Sequence, residues 1–207
     1  MSYGSFDGAG EAIKEIRGMA VDVEEILGLG MKGFEHFRAE GPQEAIRKEE
    51  GLVSRCEKIM GMLVALSEGR PEKEKAEVKT HIGVVNHLEM IGGCCKEFAE
   101  RVTVKIREGI LFSDKAFKEV RELYAEVSGL LHDAITAYKD GDGTLAKRVI
   151  QNGCAVEEII DNFGSEHEKR LISGVCAIKS SAIFLDMLDA MRRISGHAVS
   201  IAELLGS

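Results

Sequence analysis

Proline is nearly missing from this chain. Pro42 and Pro71 are the only two among 207 residues, tryptophan is absent, and aromatics make up 5%. That scarcity, beside abundant Ala, Leu, Ile, Glu and Lys, favours an all-helical protein, because nothing interrupts long runs of good helix formers. A surplus of positive charge is also lacking. The formal charge is −8 and the pI is near 5.4. Generic nucleic-acid binding, which needs a basic face to neutralise phosphates, is therefore disfavoured, although a local basic patch is not excluded. Long apolar runs are missing too. The longest, Ile59 to Leu66, falls far short of the ~20 residues that span a bilayer. The opening MSYGSFDGAG is polar and glycine-rich, unlike a secretory signal. Cysteines 56, 94, 95, 154 and 176 are odd in number and form no C-x-x-C pair. Free or buried thiols in a reducing cytosol are the simpler reading beside a metal or redox site. The expectation is a soluble cytoplasmic protein with no integral membrane segment.

What is present is helical periodicity. Phe117, Val120, Tyr124, Val127, Leu131, Ala134 and Tyr138 step by threes and fours, as do Ile13, Ile16, Ala20, Val23, Leu27, Gly30, Phe34 and Phe37. Breaks fall at Gly41-Pro42, at Gly69 and Pro71, at Gly109 before Ser113-Asp114, at the DGDG run from Asp140 to Gly143, and at Ser173-Gly174. Ser113 is placed as an N-cap, with Asp114 set favourably against the helix dipole. Helices are predicted near 10–39, 42–68, 72–107, 114–139, 144–172 and 175–205. At a shift of 103 residues the third and sixth helices superpose. Val84, Leu88, Ile91, Cys95, Phe98 and Val102 fall on Met187, Met191, Ile194, Ala198, Ile201 and Leu205, and Gly93 falls on Gly196. The first and fourth helices align similarly, with Ile16 on Phe117 and Phe37 on Tyr138. A three-helix unit used twice follows: an all-α chain of two tandem antiparallel three-helix bundles, 1–109 and 110–207.

The sixth helix carries MRRISGHAVSIAE and the third carries LEMIGGCCKEFAE. Both resemble the third-helix signature of the PhoU family of phosphate-uptake regulators, which typically reads LERIGDHAVNIAE. LFSDKAFKEVRELYAEV at 111–127, EHEKRLISG at 166–174 and SSAIFLDMLDA before the sixth-helix signature fit the same family. It includes PhoU-like domains attached to sodium–phosphate cotransporters. The resemblance implies two three-helix bundles whose second and third helices carry E-x-x-x-D pairs for a metal cluster. Carboxylates four apart share a helix face, so two facing helices can offer four of them.

Carried over by position, the pattern is degenerate. Glu50 is kept but Ser54 stands at its second position, and Glu89 is kept but is followed by Gly93. Glu157 and Asp161 are both intact, while their partners across the bundle are Arg192 and Gly196. The candidate metal ligands are thus Glu50, Glu89, Glu157 and Asp161, a set too small for more than a weakly held iron or zinc, and no cofactor is expected. If Arg192 faces Glu157 and Asp161, its guanidinium would fill the space of a metal cation. Solvent-facing charges on separate surfaces are the plain alternative.

Other motifs carry less. GLGMKG, Gly28 to Gly33, is formally G-x-G-x-x-G but lies inside a helix with no strand before it, so close helix packing explains it better than a dinucleotide. DGDGT lacks the Glu a calcium loop needs, Gln151 standing there instead. No histidine follows a Glu at i−3, which removes a ferritin-like di-iron site, and H-E-x-x-H is absent. His197 matches a histidine common in the family signature and reads as structural; His87 could be a substitute ligand beside Glu89. There is no G-x-S-x-G, and Cys94-Cys95 lie on or beside the apolar stripe. Lys96, Arg101, Lys105 and Arg107 are interrupted by acids and read as a solvated face.

The expectation is a non-enzymatic cytoplasmic regulator or adaptor of phosphate uptake or phosphate signalling. It would work by protein–protein interaction with a phosphate transporter or sensor protein, without nucleic acid. The alternatives are a helical bundle that binds iron or zinc with no phosphate role, and a structural homodimer.

Overall fold

Each break in the sequence becomes a turn for an identifiable reason. In the computed structural model, which describes residues 9–206, six helices follow one another: α1 (Gly10–His36), α2 (Glu40–Ser67), α3 (Glu72–Arg107), α4 (Asp114–Asp140), α5 (Gly143–Ile172) and α6 (Ile178–Gly206). No strand occurs among the described residues. Ser113 caps α4 as predicted, its hydroxyl accepting from the Ala116 amide at 3.2 Å. Asp142 caps α5 and accepts from the amides of Thr144 and Leu145 at 2.9 and 3.1 Å.

Three predicted boundaries move by more than one residue. α1 stops at His36 because Phe37 turns left-handed, φ 54°, and sends its amide back to the Gly33 carbonyl. A phenylalanine rarely accepts that conformation. Here the Lys105 ammonium sits over its ring, 4.4 Å from the centroid. α2 starts at Glu40, which leaves Pro42 inside the first turn, where its missing N–H has no helical acceptor to lose. α6 starts at Ile178 rather than 175, because the chain from Ser173 spends its amides on the end of α5, including Val175 N–H to the Arg170 carbonyl at 2.9 Å.

The helices pack as two bundles, α1–α3 and α4–α6. The bundles meet where α3 runs against α6, and more narrowly where α1 runs against α4. Both meetings are antiparallel. Arg121 reaches Glu35 at 2.9 Å, and His132 reaches Glu24 at 2.8 Å. Along α3 and α6, Arg101 meets Asp186 at 3.2 Å and Lys179 meets Glu108 at 3.6 Å. Most of the predicted apolar seam residues, Val120, Val127, Leu131 and Ala134 among them, are buried and join one continuous core, with Phe117 and Tyr124 partly buried against it and Phe37 exposed. The glycines of GLGMKG serve packing, as expected. A methyl on Gly30 would stand 3.0 Å from the Phe98 ring, and one on Gly33 would overlap the Pro42 ring. Among the described residues no helix is long and apolar enough to cross a membrane.

Candidate functional site

Two grooves are the places where helices two and three of each bundle face one another with charge. In the second bundle, Glu157 and Asp161 sit one turn apart on α5, and Arg192 reaches them from α6. One guanidinium nitrogen donates to Asp161 Oδ1 at 2.7 Å, and the other is paired with Glu157 Oε1. The guanidinium thus bridges two carboxylates that helical spacing places on one face. The bridge is partly open to water, with about a third of the Arg192 side chain exposed and more of each acid. On either side of it the groove opens into shallow depressions. One is lined by Ile160, Gly164, Leu188 and Asp189, and the other by Gly153, Cys154, Gly196 and Val199.

In the first bundle the arrangement differs from the predicted one. Glu89, half-buried on α3, accepts the Cys56 thiol of α2 at 3.4 Å. Burial first, and that contact second, push the Cys56 thiol up to about 11. Glu50 is exposed. Its neighbour Glu49, buried, is the acid that meets α3, where the Lys96 ammonium donates to it at 2.8 Å. That hydrogen bond also holds the Lys96 pKa above its usual value. Sequence reasoning missed the Glu49–Lys96 pair because Glu49 and Glu50 are adjacent and only helix rotation chooses between them. One signal was available: Lys96 lies two turns beyond Glu89, and so near the same face of α3.

The four candidate ligands therefore do not form one site. Glu157 and Asp161 come together with Arg192, whereas Glu50 and Glu89 stand apart in the other bundle. Among the described residues no three His, Cys, Asp or Glu side chains form a group that could hold a metal ion. The donor chemistry agrees. Gly93 and Gly196 bring no donor, and each groove already has a side-chain cation, Lys96 or Arg192, among its carboxylates. The residues present do not fit a multinuclear metal cluster.

Against this geometry the comparisons are direct. Residues 120–205 match the family model of the PhoU domain. That match lies within the second bundle, from the first turns of α4 to the end of α6. The fold extends the likeness over both bundles. The structure is similar to PhoU from Pseudomonas aeruginosa, with a TM-score of 0.88 at 22% identity, covering 94% of this chain and 93% of that one. It is also similar to the phosphate transport system regulatory protein PhoU from Streptococcus pneumoniae, with a TM-score of 0.85 at 15% identity, covering 94% and 91%. No curated protein sequence matches the chain. The matched region contains the Arg192 bridge and the whole α6 signature, so two of the departures from the E-x-x-x-D pattern, Arg192 and Gly196, lie within it, while Ser54 and Gly93 lie in the first bundle.

Proposed function

We propose that this chain is a regulator or adaptor of phosphate uptake or phosphate signalling that acts by docking on a protein partner, a phosphate transporter or its sensor. The observation that carries the reading is the match to the PhoU domain at 120–205, set in a chain that follows PhoU structures over 94% of its length. The physical features are consistent with recognition rather than chemistry. Each groove holds an internal ion pair, Lys96 with Glu49 or Arg192 with Glu157 and Asp161, and the surface is long, helical and acidic overall. The protein works in the cytoplasm and performs no catalysis.

The same reading covers the altered grooves. Arg192 stands in the place of a cation between Glu157 and Asp161, and Lys96 does so beside Glu49, so docking does not depend on a metal there. The decisive experiment is affinity capture of the full chain, with crosslinking, from its native cells grown under scarce and ample phosphate. Recovery of a phosphate permease component or its sensor kinase, changing with phosphate, is the expected result. Consistent recovery of unrelated proteins under both conditions overturns the reading.

A further inference from the structure

The line along which the bundles meet is mostly a series of opposite charges. Going along α6 toward its C-terminus, Lys179 faces Glu108, Asp186 faces Arg101, and Arg193 takes Glu97, with one guanidinium contact at 3.2 Å. Four residues further on the pattern changes. His197 of α6 meets His87 of α3, Nδ1 to Nδ1 at 3.2 Å, with ring centroids 5.3 Å apart. Two like side chains from two different bundles turn the same nitrogen toward one point. With no ion present, one ring must carry the Nδ1 proton and the other accept it.

A separation of 3.2 Å is also close to what two imidazole nitrogens need around one tetrahedral ion. Two Zn–N bonds of about 2.0–2.1 Å at the tetrahedral angle place the nitrogens roughly 3.3 Å apart. Both rings are half-buried on long, packed helices, which limits the reorganisation binding requires. Glu203, on α6, carries a negative charge that acts on His87, and Arg193 opposes it from the side of His197. The pair is separate from the grooves described above, since Glu89, two residues from His87, points to Cys56 of α2 instead.

We propose that His87 and His197 form a two-imidazole site for a borderline divalent cation, zinc foremost, which clamps the first bundle to the second. The protein supplies two corners through Nδ1, and water fills the remaining positions. Imidazole pairs of this kind select zinc, copper or nickel over magnesium or calcium, which prefer oxygen. Burial holds both rings below their ordinary pKa, so they are neutral and ready as ligands near pH 7. This inference stands apart from the phosphate reading; either can fail alone.

The test uses the full chain stripped of metal and titrated with zinc chloride at pH 7.5 by calorimetry. One equivalent is expected to bind and to raise the thermal midpoint. His87→Ala and His197→Ala are each expected to weaken binding by ~10-fold or more, and the double variant to lose both the equivalent and the thermal shift. Glu157→Gln/Asp161→Asn is expected to bind as wild type does. Cobalt substitution keeps the question decidable in the unaltered protein, because the ring protons of His87 and His197 should show paramagnetic shifts. Absence of zinc uptake by wild type overturns the proposal. So does an undiminished equivalent in a folded double variant, loss of binding in the carboxylate variant, or cobalt shifts elsewhere.

Discussion

Arg192 and Arg170 are both arginines gripping acids, yet water decides what each contributes. The Arg192 bridge to Glu157 and Asp161 is partly exposed, so Coulomb attraction is screened and the pairs contribute only about 0.2–1 kcal/mol each. Arg192→Ala should shift the urea midpoint little. Arg192→Glu should do more than remove a cation, because it leaves three carboxylates converging. If Arg192 stands in for an ion, that variant acquires affinity for manganese or zinc by equilibrium dialysis, and no gain would sink the substitution idea. The Arg170–Glu119 pair between α5 and α4 is another matter. Its side chains are 12% and 6% exposed, with two hydrogen bonds of 2.9 and 2.5 Å. Glu119→Ala leaves a buried guanidinium unpaired and is expected to cost about 3–5 kcal/mol in urea unfolding, whereas replacing both partners with apolar residues should cost much less.

Helix ends and close crossings belong to the scale of the element. Ser113→Ala removes the acceptor for the Ala116 amide and should lower stability by ~1 kcal/mol, with fraying confined to the start of α4 in hydrogen exchange. The turn from α1 to α2 is tighter. A methyl on Gly33 would overlap the Pro42 ring and lie 2.9 Å from the Arg38 carbonyl, so no side-chain rotation relieves it. Gly33→Ala is expected to cost about 1–3 kcal/mol, and Gly51→Ala, which meets nothing, should be neutral or slightly stabilising. Urea midpoints of the two variants make the comparison. These positions show what could be read beforehand. Helix stripes and breaks were legible because apolar period and proline or glycine act locally. The start of α6 was not, because the amides just before it, those of Val175 and Cys176, are spent on the Arg170 carbonyl at the end of α5, a choice made by the turn as a whole.

For the molecule as a whole, acid is the telling perturbation. His81 and His167 are buried, and burial holds both below the ordinary imidazole range; half-buried His87 and His197 shift the same way. These rings protonate more readily in the unfolded chain, so unfolding takes up protons. Their contribution is complete above the unfolded value of about 6.5 and declines as pH falls below it. The urea midpoint should therefore drop between pH 7.5 and 5.5. His81→Gln should flatten part of that drop, since the His81 ring, held 2.8 Å from the Tyr138 hydroxyl, no longer titrates. An unchanged midpoint in wild type would refute the account.

Order and period along the chain were enough to specify six helices, the duplicated unit and the signature that points to PhoU, because backbone propensity and amphipathic spacing depend on near neighbours. They also located Glu157, Asp161 and Arg192 as the altered corner of that signature. Helix rotation was beyond them. Whether Glu49 or Glu50 faces Lys96, that Glu89 turns to Cys56, and that His87 meets His197 from 110 residues away depend on how one helix lies on another. Those choices belong to packing, where a rotation too small to alter the apolar stripe changes which polar atom arrives at the contact.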